Sequence, residues 1–221
     1  MRNLPILALL LFILAPIVKA SPLVISEHLQ IEDGWEAVEI RESGLTIEEK
    51  DIPGISMKAV RVSQVMEIDP DILSLVVEDV ANYGQFLTSA KGLTAEVISV
   101  NENELIGYQL VDIPVLSDRQ YAFRMFRPTN SNRVDWQLLP RSFVSSEGRL
   151  TDDAVYLELG VGSWTMEPTE DGKYKVAYRL VMDPGGWIPE SLGERFNRIA
   201  VTGLFTDAVA ETQRRATEKA G

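Results

Sequence analysis

Carboxylates, tyrosines and arginines are the groups available for chemistry in this chain, because the usual nucleophiles and metal ligands are nearly absent. The 221 residues include no cysteine and a single histidine, His28. Without thiols there is no disulfide, no iron–sulfur cluster and no cysteine nucleophile. A zinc site would have to be all carboxylate, against the ion's preference for imidazole and thiolate, so no metal is expected. No Gly-x-Ser-x-Gly elbow, Gly-rich phosphate loop or helical His-x-x-x-His pair occurs, and no cofactor is expected. Acid/base chemistry stays available in principle, since Asp and Glu number 33. Adjacent acids such as Glu48-Glu49 and Asp152-Asp153 have a simpler reading as solvated loop or edge residues.

The other chemistry open to the chain is non-covalent. Tyr108, Tyr121, Trp136, Trp164 and Tyr178 all fall in segments of alternating polarity. Such side chains either fill the half-buried face of a strand or line an apolar pocket with a few directed polar groups. Arg124 stands between Ala122 and Phe126. It is either a buried anchor for a polar headgroup or a solvent-face residue opposite Tyr121, Phe123 and Met125.

These residues must be positioned by strands and by one long helix. Glu36–Arg41, Leu45–Lys50 and Met57–Ile68 read as three strands, the first two turning at Ser43-Gly44. Asp69 is a helix N-cap with Pro70 at the first helical position, and Ile72, Leu73, Val76, Val77, Val80 and Tyr83 keep helical spacing up to Gly84. Period two then returns in Ala95–Val100, Leu105–Val111, Gln120–Arg127, Arg133–Leu139, Val155–Met166 and Tyr174–Met182. Val134, Trp136 and Leu138 share one strand face; so do Val176, Tyr178 and Leu180, with Lys175 and Arg179 opposite. After the Pro184-Gly185-Gly186 turn, a helix is expected from Pro189 to about Lys219. Its apolar stripe is Leu192, Phe196, Ile199, Ala200, Gly203, Leu204 and Ala208. Gly193 and Gly203 inside it either allow close approach to a neighbouring element or leave room for a ligand. Trp187 and Ile188 at its entry are either an exposed apolar lip or a packed turn.

The first twenty residues have a basic start, an apolar run Leu4–Val18 and small residues at Val18 and Ala20, the pattern of a signal peptide cut after Ala20. An uncleaved anchor is the alternative. The expected location is therefore periplasmic or secreted. Residues 21–34 read as a loose N-terminal extension in which His28 is solvated, and residues 35–219 as one domain. Loss of Arg2 and Lys19 takes the formal charge from −12 to −14. Such acidity argues against nucleic-acid partners and against lasting attraction to anionic membranes; a monomer is expected.

Four segments together resemble the START domain, the StAR-related lipid-transfer family of the helix-grip superfamily. They are Asp79-Val80-x-x-Tyr83, Ile113-Pro114-Val115-Leu116-Ser117-Asp118-Arg119, Gly162-Ser163-Trp164-Thr165-Met166-Glu167-Pro168 and Asp183-Pro184-Gly185-Gly186-Trp187-Ile188-Pro189. The resemblance covers about Trp35 to Arg215 and departs from the family where Arg119-Gln120 replaces a frequent Arg-Asp. It implies an α+β helix-grip fold: a curved antiparallel sheet wrapped around the C-terminal helix and enclosing a hydrophobic tunnel, with Asp112–Asp118 near its mouth. It further implies a carrier of a lipid or sterol-like ligand with transient membrane contact, rather than an enzyme. On that reading the ligand-binding residues are Tyr108, Tyr121, Arg124, Trp136, Trp164, Tyr178, Trp187, Phe196, Ile199, Ala200, Gly203 and Leu204. The alternatives are a helix-grip cyclase or hydrolase, with Glu158, Tyr108 and Arg124 as first suspects, and an envelope lipid sensor.

Overall fold

The computed structural model describes residues 21–113, 116–129, 131–186 and 190–220, with backbone only over 190–196 and at 220. The segment expected to be a signal peptide, residues 1–20, lies outside the described residues.

Among the described residues ten strands form one sheet: β1 (Glu36–Ile40), β2 (Thr46–Lys50), β3 (Ala59–Met66), β4 (Leu93–Val100), β5 (Glu104–Val111), β6 (Arg119–Phe126), β7 (Arg133–Leu138), β8 (Val155–Tyr156), β9 (Gly160–Pro168) and β10 (Tyr174–Met182). Their spatial order is β1-β2-β3-β10-β9-β7-β6-β5-β4, antiparallel throughout, with the short β8 pairing parallel to β6. The chain thus lays down one flank, then the other, and closes the centre with β9 and β10. The helices are α1 (Pro22–Gln30), α2 (Pro70–Glu78), α3 (Tyr83–Phe86), α4 (Arg141–Ser146) and α5 (Glu190–Ala220).

On the concave face bulky and absent side chains are paired across strands. Phe123 stands opposite Gly107, and Trp136 opposite Gly162. A Cβ on Gly107 would lie 2.6 Å from the Phe123 ring, and one on Gly162 would lie 2.4 Å from the Trp136 indole. The rings lie flat over glycine backbone and the concave face stays open for α5. The principal core fills the space between that face, α2 and α5, with Leu73, Val76, Val134, Val176, Val201 and Phe205 essentially inaccessible.

Four local expectations are corrected. Residues 21–34 are not loose: α1 is capped by the Ser21 hydroxyl, buries Ile25 and Leu29 completely, and packs on β9. The Lys50 ammonium donates to the His28 and Ile31 carbonyls at 3.0 and 2.7 Å, closing the helix's negative end. The helix capped by Asp69 stops at Glu78, before Gly84. There the Tyr83 hydroxyl donates to the Val77 carbonyl and Asn82 donates to Asp79 at 2.7 Å, diverting the chain into a single 3₁₀ turn, Val80–Asn82. Val155–Met166 is two strands. Leu157 N–H bonds the Gln120 carbonyl, whereas Leu159 O accepts from Asp183 N–H, so the chain crosses between neighbours at 157–159. Finally, α4 stands between β7 and β8, where no element was expected; it is too short for a periodic signal, and only Val144 is buried.

Candidate functional site

The core between sheet and α5 is incompletely filled. A cavity of about 400 Å³ lies between the concave faces of β5, β6, β7, β9 and β10, the α2–α3 region, the Leu87–Leu93 segment and the first half of α5. Its wall is mostly apolar and aromatic. Tyr178 and Trp164 are cross-strand partners whose rings stack at 4.3 Å and 12°, and Phe205 from α5 lies parallel to Trp164 at 5.8 Å. This ladder holds helix to sheet while Trp136, Phe123 and Tyr121 continue the wall.

At one end the cavity is bounded by Ile113, Leu116, Pro184, Asn197 and Ile199. Leu116 and Ile199 are 38% and 60% exposed, which marks this end as the mouth. It is braced by Arg119, which is 4% exposed. Its Nε donates to the Pro184 carbonyl at 3.0 Å, its Nη2 to the Gly185 carbonyl at 3.2 Å, and its Nη1 to the Ser117 carbonyl. Gly185 and Gly186 turn there with φ of +64° and +67°, a conformation open to glycine at little cost. One guanidinium thereby ties the Asp112–Asp118 segment to the entry of α5.

Polar groups inside are few. The Tyr121 hydroxyl donates to Gln109 Oε1 at 2.5 Å, and Asn197 donates to the Met182 carbonyl at 3.3 Å. Burial pushes the phenols of Tyr83, Tyr121 and Tyr178 well above their ordinary value, so all three stay neutral at physiological pH. No group of three or more acidic or histidine side chains that could hold a metal occurs among the described residues, and no helix there is long and apolar enough to cross a membrane.

No family model matches the sequence, and no curated protein matches it either. Solved structures do. A STAR-related lipid transfer protein from Xanthomonas axonopodis superposes with a TM-score of 0.68 at 17% identity, over 82% of this chain and 99% of that one. Human STARD10 gives 0.69 at 12% identity, over 88% and 79%. The Zhui aromatase/cyclase from a Streptomyces species gives 0.52 at 13%, over 72% and 94%. The chain has the START helix-grip fold.

Within that START fold the expected site residues divide. Tyr121, Trp136, Trp164, Tyr178, Ile199, Ala200 and Leu204 are brought together on the cavity wall. Tyr108 and Arg124 are not. Both stand on the opposite sheet face, where Tyr108 donates to Gln120 Oε1 at 3.1 Å and packs with Ala122, Val144 and Tyr156. Arg124 is 3.9 Å from Glu104 and lies over the Phe126 ring. Strand parity decides this, since Arg119, Tyr121 and Phe123 face in and Gln120, Ala122 and Arg124 face out.

Gly203 is also displaced from the wall. A Cβ there would lie 2.5 Å from Ser89 Cβ, so the glycine serves close approach of α5 to the Leu87–Leu93 segment. Ser89 is held by Asp207, which accepts from Ser89 N–H at 2.7 Å and from the Thr88 hydroxyl at 3.0 Å. Trp187 and the Phe196 side chain lie outside the described residues. Sequence reasoning missed Gln109, whose signal was its parity with Val111 and its place opposite Tyr121. It also missed Val201 and Phe205, because α5 is gripped from two sides and buries a wider arc than one stripe.

Proposed function

We propose that this chain encloses one hydrophobic molecule, lipid- or sterol-like, and carries it through water. The observation that carries this reading is the cavity itself. A well-packed domain leaves few voids larger than a water molecule, whereas about 400 Å³ stays open here behind an apolar, aromatic wall. That volume falls in the range of pockets for single small ligands, and likeness to lipid-transfer structures supports the same reading. Release of residues 1–20 would place the carrier in the periplasm or outside the cell, as a monomer. Membrane contact is brief and made through Ile113, Leu116 and Ile199, because the acidic surface offers no polybasic attraction.

Turnover of a hydrophobic substrate is the competing reading, and likeness to an aromatase/cyclase is its support. Its expected residues are not assembled: Glu158 is exposed, and Tyr108 and Arg124 face away from the cavity. The described wall contains no carboxylate and no histidine.

Native mass spectrometry of residues 21–221, purified without detergent, reads mass and cargo together. A monomer carrying one apolar molecule, or a melting temperature raised by added lipid, is the expected result. An empty protein whose melting no lipid alters would remove the carrier reading.

A further inference from the structure

If the chain is a carrier, the polar groups of its cavity decide which molecule it takes. Gln109 and Tyr121 are cross-strand partners on β5 and β6, and both line the cavity. With its oxygen occupied by the Tyr121 hydroxyl, the Gln109 amide keeps two N–H donors, and among the described residues neither has a partner. The Tyr121 oxygen keeps acceptor capacity. Turning the amide over exchanges these roles without changing the inventory. Gln109 is 7% exposed and lines the cavity, so its free donors face whatever the cavity holds. A buried amide of this kind is costly unless something hydrogen-bonds to it.

No charged side chain is bonded to the pair. The described wall holds neither Asp nor Glu, and Arg119 is engaged by three backbone carbonyls at the mouth. Lys91, the other cation on the wall, is exposed to solvent. An anionic group brought to Gln109 would be stripped of water and meet only neutral donors there, since the Arg119 guanidinium is turned to Pro184 and Gly185 at the mouth. A hydroxyl or carbonyl there would complete the pair's hydrogen bonds.

We propose that Gln109 and Tyr121 are the specificity-determining pair for an uncharged ligand with a hydroxyl or carbonyl on an apolar skeleton, and that the cavity discriminates against the matching carboxylate. This selectivity rests on the carrier function proposed for the cavity. Arg124, the headgroup anchor considered from sequence, has no part in it.

Retinol and retinoate share a skeleton and differ in that one group. Both can be titrated by quenching of Trp136 and Trp164 in residues 21–221. Retinol is expected to bind about tenfold or more tightly than retinoate at neutral pH, the worth of a hydrogen bond gained against one forfeited. Retinoate should bind better as pH falls and its carboxylate is protonated. Gln109→Met and Tyr121→Phe should each weaken retinol about tenfold and narrow its preference over retinoate. Should Gln109→Met fail to fold, Tyr121→Phe, which removes one oxygen, carries the test. Equal affinity for the two ligands overturns the selectivity and leaves carriage standing, and so does a preference that survives in the folded variants. Binding of neither, with no co-purified apolar molecule, overturns both.

Discussion

The two faces of the central strands solve opposite problems with alternate residues of the same segments. On the concave face of β6, β7, β9 and β10 the side chains are large, apolar and aromatic, yet they surround empty space. On the outer face, where apolar packing would be expected, charges are buried and filled in tightly. Arg61 and Arg179 are 4% and 1% exposed. Arg61 grips Glu48 through two bonds of 2.6 and 2.7 Å, and Glu32 bridges Arg61 and Arg179 at 2.7 Å each. Burial would raise the Glu32 carboxyl, but the Arg61 bond and the Arg179 charge outweigh it and hold the group below its usual value. Gln30 accepts from Arg179 at 2.8 Å, and Trp35 lies over Arg61. The division is informative. Stability is concentrated where α1 and its following residues close the outer face, which leaves the inner face free to remain underpacked for a ligand.

Removing the outer closure should have the largest effect. A chain beginning at Trp35 loses Ile25, Leu29 and Glu32, and exposes Ile52, Val161, Val181, Arg61 and Arg179. Each buried aliphatic alone is worth about 2–5 kcal/mol on truncation to alanine. The loss should therefore be on the order of 5 kcal/mol or more, comparable with the whole stability of a domain. Urea unfolding followed by tryptophan fluorescence reads it directly. Unchanged stability would mean that residues 21–34 are ornament and that the contrast between the faces is mistaken.

Filling the inner face should act the other way. Ala200→Trp places an indole where the cavity already has room, so binding of the retinol probe should fall at least about tenfold while stability shifts by no more than about 1 kcal/mol. Gly203→Trp is the wrong substitution for this purpose, although sequence alone suggested that position. Ser89 already occupies the space, and the variant would break the packing of α5.

That contrast also shows what was legible in the chain. The succession of strands, the Asp69 cap, the turn before α5 and the sharing of one face by Trp136 with Val134 and Leu138, and by Tyr178 with Val176 and Leu180, follow from period and turn chemistry, which are local; which face turns inward does not. The helix-grip arrangement was carried by four short segments in register. What failed depended on distant partners. α1 is only nine residues long, and its partners lie far along the chain: Ile52, Val161 and Val181 cover Ile25 and Leu29, while Lys50, Arg61 and Arg179 bond the 21–34 segment. Gly203 was ambiguous until Ser89 was placed against it. Arg124 was assigned to the pocket against the parity of its own strand, which puts it opposite Tyr121.

The smallest expected effect concerns acid, and it separates the faces once more. Further along α5 than the cavity-lining residues, Glu211 accepts from Arg214 through two bonds of 2.7 Å and from Arg215 through one of 2.7 Å, and Arg215 continues to Asp79 at 2.6 Å. The Arg214 bonds lead in holding the Glu211 carboxyl down, from 4.5 to about 2, against the opposing effect of burial. A carboxyl depressed in the folded state contributes stability that is complete above its unfolded value near 4.5 and disappears as pH falls toward 2. The pair is near solvent, so its worth is modest. Urea midpoints of the parent and Glu211→Gln should differ above about pH 5, draw together as pH falls below 4.5, and converge only as it approaches about 2. Retinol affinity should stay flat over the acid range in which the fold survives, because the described cavity wall holds no carboxylate or histidine to titrate there. Midpoints that differ by the same amount at every pH would show that Glu211 supports α5 through packing and not through its charge.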